Sequence, residues 1–191
     1  MIKTIIFDYM GVFVPKSIVG AWIIQKQFPD SDDRLSALKK LSLKWDKGEI
    51  DYPQFKQFLS QYTDIPVDEI WPTLFEKVFV NQELVDFVKI LKKKYKIVLL
   101  SNGPLKNTRL MLQHQNLEPL FDKIIISAEH NLMKPDPKIY KLALSLNDTL
   151  PSEAVFIDDR LENVKGSQKV GIKSFLFTDI KTLKKDLNFL I

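Results

Sequence analysis

Five short apolar runs divide the chain: Ile2–Phe7, Lys96–Leu100, Lys123–Ile126, Ala154–Ile157 and Lys173–Phe177. Their length and their content of Ile, Val, Leu and Phe predict strands buried on both faces. Helical spacing fills the gaps after residue 82. Gln82–Lys94 places apolar residues at 84, 85, 87, 88 and 91, one stripe of a helix. Leu105–Asn116, Pro137–Leu146 and Leu161–Val170 read the same way, with Pro137 suited to a first helical turn and Gly171 to a stop. Strands alternating with helices of this length predict βαβ units and a parallel sheet between two helical layers, an α/β Rossmann-like core.

The stretch between the first strand and Gln82 has a different pattern. It reads as four helical segments near Ser17–Phe28, Asp32–Trp45, Pro53–Tyr62 and Val67–Phe79, with Asp51 an N-cap for the third and Asp30 or Ser31 for the second. It is too long for an ordinary βα loop. It leaves the tip of strand one, so it is expected to stand over the sheet's ligand-binding edge as an all-helical cap. Residues 1–14 with 82–191 form the predicted core and 15–81 the cap, with hinges at Pro15 and Val80-Asn81.

Composition narrows the class. At 45% apolar residues the chain has enough to bury a core, and without cysteine it has neither a disulfide framework nor a thiolate metal site. The first residues do not read as a signal peptide, and no run is apolar enough to span a bilayer, so a cytoplasmic enzyme is the expectation. A net charge of +4 is spread out, and Lys92-Lys93-Lys94 and Lys184-Lys185 lie beside acids without interleaved aromatics. That pattern predicts solvated faces and no nucleic-acid partner. No motif bears on oligomeric state.

The candidate chemistry lies at the strand ends. Strand one ends in Asp8, strand two in Ser101-Asn102-Gly103 and strand four in Asp158-Asp159. The loop after strand three carries Lys134-Pro135-Asp136. In a parallel sheet these tips converge on one edge. Three clustered carboxylates repel one another, and a hard cation relieves that repulsion. Carboxylates with waters suit Mg²⁺. An anion held between such a cation, Lys134, Ser101 and backbone N–H groups, beside a carboxylate nucleophile, points to phosphoryl transfer.

With these segments in order, nearly the whole chain resembles the haloacid dehalogenase superfamily of hydrolases. The four-helix insert resembles the small cap of its first subfamily. Lys47-Gly48-Glu49-Ile50-Asp51-Tyr52-Pro53-Gln54-Phe55 is similar to a cap stretch of sugar-phosphate (glucose-1-phosphate) phosphatase-like members. The resemblance implies that Asp8 attacks phosphorus and forms an aspartyl phosphate. It implies a Mg²⁺ ion held by Asp8, the backbone carbonyl of Met10, Asp158 and Asp159. Ser101, Asn102 through its amide, and Lys134 would hold the transferring group of a small phosphorylated metabolite.

Met10 is the departure. Most phosphatases of the superfamily carry an Asp there as general acid–base, a contribution of about 10²–10⁴-fold. Its replacement predicts slow turnover or a good leaving group. Tyr9 is a poor substitute because neighbouring strand positions face opposite ways. The alternatives are a 2-haloacid dehalogenase, which needs no metal, a phosphonate-cleaving hydrolase, which needs a cap lysine, and a catalytically weak binding protein. His114 reads as a surface residue and His130 as a possible neighbour of the cleft. Trp22, Trp45 and Trp71 read as cap core, and Lys44 and Lys47 as solvated.

Overall fold

Period-two alternation in the strands sets both faces of the sheet. The computed structural model describes residues 1–15, 33–62 and 78–190. Strands β1 (Thr4–Phe7), β2 (Lys96–Ser101), β3 (Lys123–Ile126), β4 (Ala154–Asp158) and β5 (Lys173–Leu176) form one parallel sheet in the order β3-β2-β1-β4-β5. Ile5, Phe7, Ile97, Leu99, Val155 and Ile157 point into one apolar cluster. Ile6, Val98, Leu100, Ile125 and Phe156 point into another. A sheet buried on both sides needs the continuous apolar runs seen in the sequence.

Between β1 and β2 lie α1 (Asp33–Asp46), α2 (Tyr52–Tyr62) and α3 (Gln82–Lys92). After β2 come α4 (Leu105–His114), the single turn α5 (Ser127–His130), α6 (Pro137–Ser145), α7 (Leu161–Gln168) and α8 (Ile180–Asp186). The first cluster is closed by α3, through Leu84, Val85, Phe87, Val88 and Leu91, together with α4 and α8. The second is closed by α6 through Ile139, Tyr140, Ala143 and Leu144. The expected α/β architecture, a Rossmann-like parallel sheet between helical layers, is what the chain adopts.

Boundaries shift by one or two residues. Thr4 starts β1 in place of Ile2, although Lys3 still donates to the Glu153 carbonyl at 2.8 Å. Ser101 and Asp158 fall inside their strands. Helix α4 ends at His114, before Asn116 turns left-handed (φ 55°), and Gly171 turns the chain after α7 (φ 88°). Two helices were absent from the sequence reading. In α8, Asp179 caps the N-terminus by accepting from Thr182 N–H at 2.8 Å, and α5 is one turn in a stretch read as loop.

Of the predicted cap helices, the second and third are α1 and α2. Asp51 caps α2 in a reciprocal box, accepting from Gln54 N–H while Gln54 accepts from Asp51 N–H, each at 2.9 Å. Trp45 is buried and stacks on Phe55 at 3.9 Å between ring centroids, so it is core of the α1–α2 pair. The helix over Ser17–Phe28, most of that over Val67–Phe79, Trp22, Trp71, and the cap positions Asp30 and Ser31 lie outside the described residues. Val78 and Phe79 are described and are not helical. Where the chain re-enters the sheet domain, Asn81 donates to the Phe13 carbonyl at 2.8 Å and caps α3. Among the described residues no helix is long and apolar enough to cross a membrane.

Candidate active site

Strand alternation runs on past the end of β1 and decides which residues meet. Asp8 follows the parity of Ile6, toward the face that α6 covers. Tyr9 follows Phe7 into the opposite cluster. In β4, Asp158 shares the parity of Phe156, and the pairing of Phe7 with Ile157 sets Asp158 beside Asp8. Lys134 lies just before α6, on the same side. Its ammonium is 2.6 Å from Asp8 Oδ1 and 2.7 Å from Asp158 Oδ2, with all three side chains at most 8% exposed.

Asp158 is held from further directions. Asn163, in the first turn of α7, donates from Nδ2 to both carboxylate oxygens at 3.0 Å, and Arg160 N–H donates to Oδ1 at 2.9 Å. Tyr140 of α6 in turn donates to the Asn163 carbonyl at 2.9 Å. Asn163 was missed in the sequence. Its signal was the spacing of five residues from Asp158, which turns a side chain of the next helix back onto the strand end.

Asp159 comes to the same place from the loop after β4. Gly11 has φ +89°, and a β-carbon there would run into the Asp159 carboxylate. Glycine is therefore required both by the backbone conformation and by the contact. One oxygen each from Asp8, Asp158 and Asp159 lie within 4.8 Å of one another. When ionised, the three carboxylates outnumber the Lys134 ammonium by two charges, and a divalent cation would balance them. Burial is the main force on Asp8, and with the Asp158 charge it pushes that carboxyl up to about 7 against the opposing pull of Lys134. Burial lowers the Lys134 pKa, but Asp8 and Asp158 outweigh it and hold the ammonium above its ordinary value. Three buried carboxylates with an excess of negative charge fit Mg²⁺, which accepts carboxylate oxygens and retains waters.

The tips of β2 and β3 are built from neutral groups. Ser101 is buried at the end of β2. The side chain of Asn102 forms a reciprocal pair with the main chain of Lys134, donating to its carbonyl at 2.8 Å and accepting from its N–H at 2.9 Å. The resemblance implies a role for the Asn102 amide in holding the transferring group; the structure adds this use of its side chain. Ser127 Oγ accepts from Gly103 N–H at 2.9 Å and donates to the Asp46 carbonyl at the end of α1. At Gly48 (φ +76°) a β-carbon would run into the Ala128 carbonyl oxygen, so the turn after α1 lies directly on α5.

Met10 is half-buried and packs against the apolar cluster on the Tyr9 side. The Tyr9 hydroxyl donates to Gln115 at 2.6 Å, and burial holds its pKa above the ordinary value. It is thus engaged away from the Asp8 side of the sheet. His114 is exposed. His130 is partly exposed, 3.8 Å from the Glu129 carboxylate, and Lys47 pairs with Glu49 at 2.6 Å.

Residues 2–171 match the family described as haloacid dehalogenase-like hydrolase. The chain belongs to this family of hydrolases. Within it, the chain is 26% identical to D-ribitol-5-phosphate phosphatase of Bacteroides thetaiotaomicron, over 92% of this chain and 91% of that protein. It is 24% identical to pyrophosphatase PpaX of Bacillus cereus, over 91% and 82%. Among solved structures, a haloacid dehalogenase family enzyme of B. thetaiotaomicron in a magnesium complex superposes with a TM-score of 0.80 at 22% identity, covering 95% of this chain and 98% of that one. L-2-haloacid dehalogenase of Xanthobacter autotrophicus superposes at 0.67 with 15% identity, covering 99% and 83%. These superpositions establish the hydrolase family's fold for this chain.

Proposed function

We propose that the protein is a Mg²⁺-dependent phosphatase of a small phosphorylated metabolite, a sugar or sugar-alcohol phosphate, with residues 15–81 as a cap over the site. The observation that carries this reading is the buried cluster of Asp8, Asp158 and Asp159 around Lys134. The ribitol-phosphate phosphatase relative supports the substrate class.

Asp8 is the nucleophile. Its carboxylate attacks phosphorus, the bond to the leaving oxygen breaks, and water then cleaves the aspartyl phosphate. Asp8, Asp158, Asp159 and the Met10 carbonyl would hold Mg²⁺, which supplies charge neutralisation for the phosphoryl oxygens. Lys134, Ser101 and the Asn102 amide orient the phosphoryl group, and Asn102 also fixes Lys134 through its side chain. Dehalogenation, with attack at carbon, needs no metal, so the Asp8-Asp158-Asp159 cluster argues against it.

Purified protein is expected to release phosphate from a panel of sugar and polyol phosphates with Mg²⁺ and to stop in EDTA. Asp8→Asn should lose at least about 10³-fold, the order expected for removing a nucleophile. Full activity of Asp8→Asn would refute the assignment.

A further inference from the structure

Position 10 supplies no proton donor, and the Tyr9 hydroxyl is engaged by Gln115 on the other side of the sheet. Among the described residues, a carboxyl that the hydrolytic scheme leaves unused, on a segment packed at these strand tips, is Asp46, the last residue of α1. Its main chain is fixed at the tips of β2 and β3. Its carbonyl accepts from Ser127 Oγ, and the same oxygen of Ser127 accepts from Gly103 N–H at 2.9 Å. The turn that follows is pressed onto Ala128 at Gly48. The charge acting on the Asp46 side chain comes from the other direction, from Arg160 in the loop after β4, next to Asp159. In the strand order β3-β2-β1-β4-β5, Ser127 and Arg160 stand on opposite sides of β1, whose tip carries Asp8. Neighbouring strands are only about 4.8 Å apart, so the flanking tips lie close to the nucleophile.

We infer that Asp46 is the acid–base that position 10 lacks, delivered to the cleft from the α1 helix and not from the loop after β1. The inference rests on the phosphatase reading. In the first step an Asp8 oxygen bonds to phosphorus, the bond from phosphorus to the leaving oxygen breaks, and that oxygen takes the proton of the Asp46 carboxyl. In the second step water attacks phosphorus and gives its proton to the Asp46 carboxylate. The bond between Asp8 and phosphorus breaks, and inorganic phosphate leaves with both carboxyl groups restored. Burial, working against Arg160, pushes the Asp46 carboxyl up to about 7, so both of its forms are populated near neutral pH. Arg160 is itself paired with Glu162 at 2.6 Å, which tempers its pull.

The experiment is a leaving-group comparison. Asp46→Asn should lower kcat on an alkyl phosphate such as a sugar-alcohol phosphate by about 10²-fold or more, and on p-nitrophenyl phosphate only a few-fold, because a nitrophenolate leaves without a proton. Asp46→Glu should keep the alkyl activity to within about 10-fold, as a carboxyl is retained. Adding Met10→Asp to Asp46→Asn should restore hydrolysis of the alkyl ester. Equal losses on the two substrates, or an unchanged rate on the alkyl ester, would overturn the role of Asp46. Wild-type protein that releases phosphate from neither substrate would instead overturn the phosphatase reading itself.

Discussion

The two halves of the catalytic edge are held together by different physics. At β1 and β4, ions do the holding: Asp8, Asp158 and Lys134 are buried in contact, and Asn163 with Arg160 N–H orients Asp158. At β2 and β3, neutral hydrogen bonds do it: Asn102 clasps the Lys134 main chain, and Ser127 joins Gly103 to Asp46. Buried ions tolerate little change because a charge that loses its partner keeps its desolvation cost. Neutral hydrogen bonds are individually modest and can exchange with water. On the proposed reading the charged half would fix nucleophile and metal, and the neutral half would seat α1.

Removing one charge from the first half should give the largest effect. Lys134→Met leaves Asp8 and Asp158 without their ammonium, and should cost about 3–5 kcal/mol of stability in metal-free protein. Mg²⁺ should recover part of the loss, since a cation returns positive charge to the same oxygens. Chemical denaturation with and without Mg²⁺ checks both points, and equal stability of variant and wild type in EDTA would break the contrast.

Asn102→Ala tests the link between the halves. It removes two hydrogen bonds to the Lys134 main chain, for a cost of roughly 1–3 kcal/mol. The phosphatase rate should fall by more than the change in folded fraction, because Lys134 loses its position. Denaturation curves beside steady-state kinetics separate the two.

Ser127→Ala, confined to the neutral half, should be mildest, at about 0.5–1.5 kcal/mol. Its effect should appear chiefly in kcat on an alkyl phosphate, through a loosened seat for α1 and its Asp46, with Mg²⁺ affinity unchanged. A loss of Mg²⁺ affinity in isothermal titration would show that the halves are not separate.

Much of this was legible in the chain because it is periodic or local. The strands showed as apolar runs, and the acids and lysine stood directly after them, so parallel packing was enough to predict their meeting. The second use of Asn102 was not legible, because an amide at a strand tip can present its backbone or its side chain. Nor was Asn163, whose role depends on the way α7 leaves β4. Helix α8 escaped notice because its seven residues carry too little apolar stripe, although Asp179 signals its start.

The sequence by itself determined the fold class and the principal candidates Asp8, Ser101, Lys134, Asp158 and Asp159. These follow from strand periodicity, from turns beside strand ends and from residue chemistry. Only the tertiary structure decided that the Tyr9 hydroxyl meets Gln115, that Gly11 lies against Asp159, and that Asp46 is brought to Ser127 across 81 positions of chain. Contacts between residues so far apart follow no period, and are set by how helices and loops pack once the sheet has formed.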